Sequence, residues 1–187
     1  MRLLDSIGFL FQYICKPRTT GALCPSSRYL ARQMAAGAGK DGDIVVELGA
    51  GTGAVTKELI KPEFLGFREL YSIEYNPDLC AILRRNFPKA KIINGSAENI
   101  RKLVGADSAK ISTIVSSLPL LSLPSGMVAN IISEIEASLP SGGRFVQFTY
   151  QLNRKPEKLG FKNMEHMRRS IVLLNIPPAR VDVFVKR

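Results

Sequence analysis

The sequence predicts an α/β fold, and three observations lead to this prediction. Short runs of β-branched and other apolar residues alternate with segments of helical pattern along most of the chain. The first run ends at Glu47, and Gly49, Gly51 and Gly53 follow it, as in a tight turn from a buried strand into a helix. The chain has 187 residues, 45% of them hydrophobic, which suits one domain with a sizeable core.

The elements follow in order from periodicity and from turn residues. A helix is predicted over Arg28–Ala36, with Ser26 or Ser27 as its cap and Gly37 at its end. Further helices are predicted over Ala54–Ile60, from Asn76-Pro77 onwards, and over Ser125–Leu139. The predicted strands are 44–47, 70–74, 111–116, 144–150, 170–174 and 181–185, together with a strand and turn over 91–98.

The charge of the chain is concentrated at its two ends. The formal net charge is +10, with six Lys/Arg against one acid in residues 1–40 and nine against three in residues 151–187. Such basic ends suit a polyanionic partner, which is either nucleic acid or an anionic membrane surface. A basic surface that serves only solubility is the alternative.

Several classes of protein are excluded by composition. No apolar run reaches the roughly 18 residues of a transmembrane helix. Cys15, Cys24 and Cys80 lack metal-ligand spacing and are odd in number, so we predict a reduced, cytoplasmic location and no metal. Peripheral attachment to the inner face of the cell membrane is a further option. The single histidine, His166, is interpreted as a solvated surface residue.

The first fourteen residues form an amphipathic pattern, with apolar side chains along one helical face. Two interpretations are open: a helix packed on the core of the protein, or a helix in a membrane interface next to the positive charges of Lys16 and Arg18. We therefore divide the chain into an N-terminal arm and loop, residues 1–40, and a domain, residues 41–187.

The glycine turn predicts a ligand site. Glycine lacks Cβ and lets the backbone lie close to a ligand, and the helix that follows aims unpaired N–H groups at the same point. Glu74 ends the second strand, 21 residues after Gly53, where a nucleotide-binding α/β fold places a carboxylate on the ribose hydroxyls. Tyr75 follows, and its ring can pack on an adenine face.

The string Glu47-Leu48-Gly49-Ala50-Gly51-Thr52-Gly53 resembles motif I of class I S-adenosylmethionine-dependent methyltransferases. The resemblance implies S-adenosylmethionine as cofactor. It also implies a doubly wound, Rossmann-like sheet of about seven strands, mostly parallel, with a C-terminal antiparallel pair. In many members an Asp near the third strand accepts from the adenine amino group, and Ser96 stands there in this chain. The cofactor-binding candidates are Glu47, Gly49, Ala50, Gly51, Gly53, Glu74, Tyr75, Ser96 and Ala97.

The loop after the fourth strand distinguishes between methyl acceptors. The chain resembles the rRNA adenine dimethylases at the glycine motif, but these need an Asn/Asp-x-Pro-Tyr/Phe sequence to hold a flipped base. Here the loop is Ser117-Leu118-Pro119-Leu120, which has neither the amide nor the ring. Nucleic acid is therefore disfavoured as a partner.

The same loop is similar to that of bacterial phosphatidylethanolamine N-methyltransferases. The likeness extends to the segments 21–28, 147–150 and 175–181. It implies methylation of a phospholipid amine at an anionic membrane surface, with Ser117, Leu118 and Pro119 as catalytic candidates. Tyr150 joins them, since its ring face can contact a cationic amine. An RNA or protein methyltransferase, and an inactive cofactor-binding module, are the alternatives.

Overall fold

A computed structural model describes residues 27–66, 68–153 and 155–187. The predicted amphipathic helix, Ser26, Cys15 and Cys24 lie outside the described residues, so the two interpretations of the N-terminal arm stay predictions. The boundary proposed at residue 40 also stays a prediction. No helix in the described part of the chain is long and apolar enough to cross a bilayer.

Seven strands form one sheet within the described residues. They are β1 Ile44–Leu48, β2 Glu69–Glu74, β3 Lys91–Asn94, β4 Ile111–Ser116, β5 Arg144–Thr149, β6 Met164–Val172 and β7 Ala179–Lys186. Their spatial order is β3-β2-β1-β4-β5-β7-β6. The strands β1 to β5 pair in parallel, whereas β7 is antiparallel to both β5 and β6. The order reverses at β1, so the carboxyl ends of β1 and β4 flank a crevice of the kind where open α/β sheets bind ligands.

Helices cover both faces of the sheet. They are α1 Arg28–Gly37, α2 Ala54–Leu59, α3 Pro62–Leu65, α4 Pro77–Asn86, α5 Ile100–Val104 and α6 Ser125–Ser138. The period-2 pattern of the strands separates two buried clusters. One contains Val46, Ile114, Phe145 and Phe184 with α5 and α6, and the other contains Val45, Val115, Val146 and Val183 with α1 and α2. We call the first of these two faces of the sheet face A.

For most of the predicted helices and strands, the ends predicted from the sequence agree with the structure to within about two residues, and the last hairpin is the exception. Ser27 caps α1, because its side chain accepts from the backbone N–H of Leu30. β6 begins at Met164, well before the predicted strand over 170–174. Mixed polar and apolar residues there hide the period-2 pattern, since a register shift between His166 and Arg168 interrupts it. The predicted strand over 170–174 is likewise too long at its end, because β6 stops at Val172.

Candidate active site

Two cavities lie at the carboxyl edge of the parallel strands. The first is an open pocket of about 540 Å³. Four predicted cofactor residues line it, namely Gly49, Tyr75, Ser96 and Ala97. The other side chains at its wall are almost all apolar: Ile73, Leu118, Leu123, Met127 and Ile131. An apolar wall beside a half-exposed tyrosine provides surfaces on which a purine ring can pack, so the chemistry of the lining suits a nucleoside.

The packing of the glycine loop requires residues without a Cβ at two of its positions. Gly49 has φ +70, and a Cβ there would lie 2.6 Å from Cδ2 of Leu118. Gly53 has φ +89, and its Cβ would lie 2.2 Å from the ring of Phe87. Gly51 also has a positive φ, +58, but the nearest atom to its Cβ would be 4.0 Å away. Gly49 and Gly53 therefore allow close packing, whereas Gly51 leaves open space at the loop surface.

Glu74 ties the glycine loop to the second strand. It is 1% exposed, and its Oε2 accepts from the backbone N–H of Gly51 at 2.9 Å. Its Oε1 accepts from the backbone N–H of Asn76 at 2.8 Å. Since each carboxylate oxygen can accept more than one hydrogen bond, lone pairs remain for a diol. The ribose role assigned to Glu74 stays a prediction.

Glu47 does not line the pocket. Its side chain is fully buried, and its Oε2 accepts from the hydroxyls of Thr56 and Ser72, both at 2.7 Å. Its Oε1 has no hydrogen-bond partner among the described residues. Burial raises the pKa of the Glu47 carboxyl from 4.5 to about 7, against the lowering effect of the two hydroxyls. The observed contacts join β1, β2 and α2 beneath the loop, so contact between Glu47 and a cofactor stays a prediction.

Ser96 begins the turn after β3. Its hydroxyl accepts from the backbone N–H of Glu98 at 3.3 Å and caps a 3₁₀ turn over Ala97–Asn99. Glu98 in turn accepts from the side-chain amide of Asn130 at 2.8 Å. Ser96 and Ala97 line the pocket, while the carboxylate of Glu98 is engaged with α6. The predicted contact of Ser96 with adenine is therefore compatible with the geometry and stays a prediction.

The second cavity is an open cleft of about 740 Å³. It is bounded by the loop after β4, the end of β5 and the start of β7. Two of the four predicted catalytic residues, Pro119 and Tyr150, line it, and Leu118 lines the first pocket. Ser117 lines neither cavity, and its Oγ is buried without a hydrogen-bond partner among the described residues. The Tyr150 ring packs edge-on against Phe148, with centroids 5.4 Å apart.

Gln147 is the site residue that sequence reasoning missed. It lines the cleft and is 4% exposed. Its Nε2 donates to the carbonyls of Leu118 at 3.0 Å and Phe148 at 2.8 Å, which fixes the orientation of the amide. Its Oε1 is buried and has no partner among the described residues. A polar residue between the apolar Val146 and Phe148 was the available signal, because a buried polar group needs a partner.

A charged cluster borders the cleft at β7. Arg180 and Asp182 are both almost fully buried, and the guanidinium contacts Oδ2 of Asp182 at 2.8 Å. Oδ1 of Asp182 lies 3.0 Å from Nε2 of His166 and 3.6 Å from Nε of Arg169. The prediction of a solvated His166 is wrong, because the ring is half-buried against Phe184 and paired with Asp182. His166 does not line either cavity.

No group of His, Cys, Asp and Glu that could hold a metal ion occurs among the described residues. Cys80 is buried, and its Sγ contacts the carbonyl of Glu74 at 3.3 Å.

Comparisons with known proteins identify two sequence relatives. No protein-family model matches the chain. An ornithine lipid N-methyltransferase of Singulisphaera acidiphila is 27% identical over 152 residues, which cover 78% of each chain. A ribosomal RNA small subunit methyltransferase A of Chlorobium chlorochromatii is 34% identical over 80 residues, 43% of this chain and 29% of that protein.

Solved structures resemble the fold. TrmN from Thermus thermophilus matches with a TM-score of 0.69 at 17% identity, over 84% of this chain and 48% of that one. A TehB-like SAM-dependent methyltransferase from Corynebacterium glutamicum matches with a TM-score of 0.61 at 16% identity, over 100% of both chains. The predicted Rossmann-like sheet with its antiparallel pair is thus confirmed. Together the relatives and neighbours are class I S-adenosylmethionine-dependent methyltransferases, and they imply S-adenosylmethionine as the cofactor.

The raised pKa of Glu47 predicts a pH-dependent stability. The folded protein retains a proton between pH 4.5 and 7 that the unfolded chain has lost, so the free energy of unfolding falls as pH rises through this range. The loss is at most about 3 kcal/mol. Glu47→Gln resembles the protonated carboxyl and should flatten the dependence in urea unfolding at pH 5 and pH 8. Glu63→Gln, at an exposed acid of α3, is the control and should keep the wild-type dependence. An unchanged slope in Glu47→Gln would contradict the assignment.

The hydrogen bond from the backbone N–H of Gly51 to Glu74 predicts that changes at either residue weaken cofactor binding. Glu74→Ala removes the carboxylate that orders the loop, and Gly51→Val places a β-branched residue at positive φ. Each change should weaken S-adenosylmethionine binding by roughly tenfold or more in calorimetry, since a lost charged hydrogen bond costs about 1.5–3 kcal/mol. Glu69→Ala is the matched control, because this exposed acid lies at the far end of the same strand. Unchanged affinity in both site variants would contradict the assigned pocket.

Proposed function

We propose that this chain, an S-adenosylmethionine-dependent methyltransferase by its relatives and fold, methylates the amine of a membrane lipid headgroup. The extent of similarity supports this proposal best. The lipid N-methyltransferase matches over 78% of both chains, including the region after β4, whereas the rRNA methyltransferase matches over 43% of this chain. The acceptor class that we infer is a lipid carrying a primary amine, of which phosphatidylethanolamine and ornithine lipids are two sources.

The loop after β4 supports a small, flexible acceptor. Ser117 to Leu121 supplies no aromatic ring and no side-chain amide where an adenine would have to stack. The backbone of this loop is instead held by β5, since Gln147 donates to the carbonyl of Leu118. The wall that replaces a base-binding platform is therefore apolar and narrow, with Pro119, Leu120 and Leu121 at the cleft.

Gln147 provides the polar contact that an amine needs. Its Oε1 is a buried acceptor without a partner among the described residues, and an amine N–H in the cleft would supply one. The penalty for an unpaired buried carbonyl is relieved only when a donor enters, which favours amines over apolar groups. Tyr150, at the same cleft, offers a ring to the methylated cation.

Methyl transfer requires an aligned, neutral amine. The bound cofactor supplies a methyl group on a sulfonium, and displacement requires the amine nitrogen to lie in line with it. Gln147 orients the amine but takes no proton. Asp182 lines the cleft but is engaged by Arg180, Arg169 and His166, so we assign the departing proton to water or, in a phospholipid, to the phosphate of the headgroup.

Access to such a lipid requires a membrane surface. We propose that the basic ends and the amphipathic segment 1–14 attach the protein peripherally to the inner face of the cell membrane. The exposed cationic side chain of Lys155 at the cleft wall suits the anionic part of a headgroup, whereas the buried Arg180 is engaged by Asp182 and by the carbonyl of Leu152.

The second candidate is methylation of RNA. The rRNA methyltransferase relative and an rRNA methylase from Streptococcus thermophilus, with a TM-score of 0.58 and 18% identity, favour it. An inactive cofactor-binding module is a third candidate, and it differs from both in predicting no transferred label.

A radiolabelled methyl assay compares these candidates. Phosphatidylethanolamine vesicles, ornithine lipid vesicles, total RNA and a protein extract are offered in parallel with labelled S-adenosylmethionine. We expect label in one or both lipids, and the stronger lipid identifies the headgroup. Label confined to RNA or to protein would overturn the lipid proposal, and label nowhere, with intact cofactor binding, would favour the inactive module.

Variants of Gln147 test the amine contact. Gln147→Met removes both acceptor and donor and should lower kcat/KM for the lipid by roughly tenfold to a hundredfold. Gln147→Glu keeps an acceptor oxygen but cannot hold the Leu118 carbonyl, so it should retain more activity than Gln147→Met. S-adenosylmethionine affinity should stay within about twofold in both, and Arg144→Gln is the control, because Arg144 begins the same strand and lines neither cavity. Equal activity in Gln147→Glu and Gln147→Met would show that only the loop anchoring matters and would contradict the amine contact.

A further inference from the structure

The connection between β6 and β7 carries large apolar side chains that face solvent. Ile171 at the end of β6 is 55% exposed, and Leu173, Leu174 and Ile176 in the turn are 73%, 65% and 86% exposed. We call these four residues the hairpin tip. Four exposed aliphatic side chains within six residues concentrate apolar surface at one turn, which is uncommon where a surface only contacts water.

The exposure belongs to an ordered turn. Asn175, in the middle of the tip, is 3% exposed. Its Oδ1 accepts from the backbone N–H of Ser27 at 3.0 Å, and its Nδ2 donates to the carbonyl of Pro177 at 2.7 Å. The polar side chain thus points inward while its apolar neighbours point outward. This arrangement reverses the usual preference for burial, so the turn holds the leucines and isoleucine towards solvent.

The hairpin tip lies beside the cleft. In the register of the last strand pair, Ile171 is opposite Arg180 and Arg169 is opposite Asp182. Directly paired residues project from the same face of a sheet, so Ile171 lies on face A together with Arg180 and Asp182 at the cleft wall. A molecule held at the hairpin tip would have its polar end next to Gln147, which is opposite Asp182 on β5.

Exposed arginines occur on the elements next to the hairpin tip. Arg168 and Arg169 are exposed on β6, and Arg28 and Arg32 are exposed on α1, whose first residue follows Ser27. An apolar patch bordered by arginines matches a surface with an apolar interior and anionic headgroups. A second copy docked through the same patch would bring these arginines against one another, and this like-charge contact disfavours it.

We propose that the hairpin tip inserts into the lipid bilayer and places the mouth of the cleft at headgroup level. The inference rests on the proposed lipid substrate only for the role of the cleft, because membrane insertion of the tip is measurable without catalysis. It adds to the N-terminal arm a second attachment point, built on the sheet itself.

The absence of tryptophan from the sequence allows a direct test. Leu174→Trp, in the full chain, gives a single fluorescent reporter at the tip. With vesicles of phosphatidylglycerol and phosphatidylcholine, we expect its emission to shift to the blue and to be quenched by brominated acyl chains. Ile82→Trp is the control. Ile82 is an exposed apolar residue of α4, which packs on β3 at the opposite edge of the sheet from β6, so the emission of this variant should not change.

Each contrary spectrum would overturn the proposal. No shift with vesicles would mean that the tip stays in water. An emission that is already blue-shifted without lipid and does not change when vesicles are added would mean that residues 1–26 cover the hairpin tip. A shift that depends on protein concentration without lipid would assign a second copy.

Activity separates this inference from the proposed function. Leu174→Ser combined with Ile176→Ser should lower methylation of the lipid in vesicles by roughly tenfold, because two apolar side chains lose their burial. Methylation of the same lipid with short, water-soluble chains should stay unchanged. If the double variant methylates the lipid in vesicles as fast as the wild type, insertion of the tip is refuted and the lipid function is not. If the wild-type protein methylates neither form of the lipid, the lipid function is refuted and the fluorescence result still decides insertion.

Discussion

Both cavities depend on the close contact between Gly49 and Leu118. The missing Cβ of Gly49 lets the Leu118 side chain pack against the glycine loop, and that side chain then forms part of the first pocket. The Leu118 carbonyl, on the opposite side of the same residue, is held by Gln147 at the second cleft. Leu118 therefore connects the wall of the pocket, through its side chain, to Gln147 in the wall of the cleft, through its carbonyl.

The burial of Glu47 supports the same geometry from below. Its carboxylate joins the first two strands to α2 through Ser72 and Thr56, while Glu74 holds the loop above through Gly51. The two acids near the glycine turn thus have different roles. Glu47 holds the strands and the helix beneath the loop, and Glu74 holds the loop itself. The sequence pattern alone does not separate them, because both follow a strand-like run.

Much of the fold follows from local signals, and the remainder depends on contacts between distant residues. Buried parallel strands are continuous β-branched runs, so β1, β2 and β4 were predictable from the sequence. The edge strand β6 carries arginines and a register shift, which removed its period-2 signal. The positions of Gly49, Tyr75, Ser96 and Ala97 around one pocket follow from strand order, since parallel strands end at one edge. The partners of Gln147 and His166 come from residues 29 and 16 positions away, and no pattern of spacing predicts them.

Under the proposed lipid function, the uncharged Oε1 of Gln147 has a consequence for the transfer of more than one methyl group to the same amine. An amide oxygen needs a hydrogen on nitrogen, and every methyl group that is added replaces one such hydrogen. A primary or secondary amine retains a donor for Oε1, whereas a neutral tertiary amine has none and leaves this oxygen unpaired again. The cleft would therefore hold its acceptor less tightly as substitution proceeds, and partly methylated lipid would return to the bilayer between turnovers. Product composition would then depend on the ratio of lipid to protein as well as on the site.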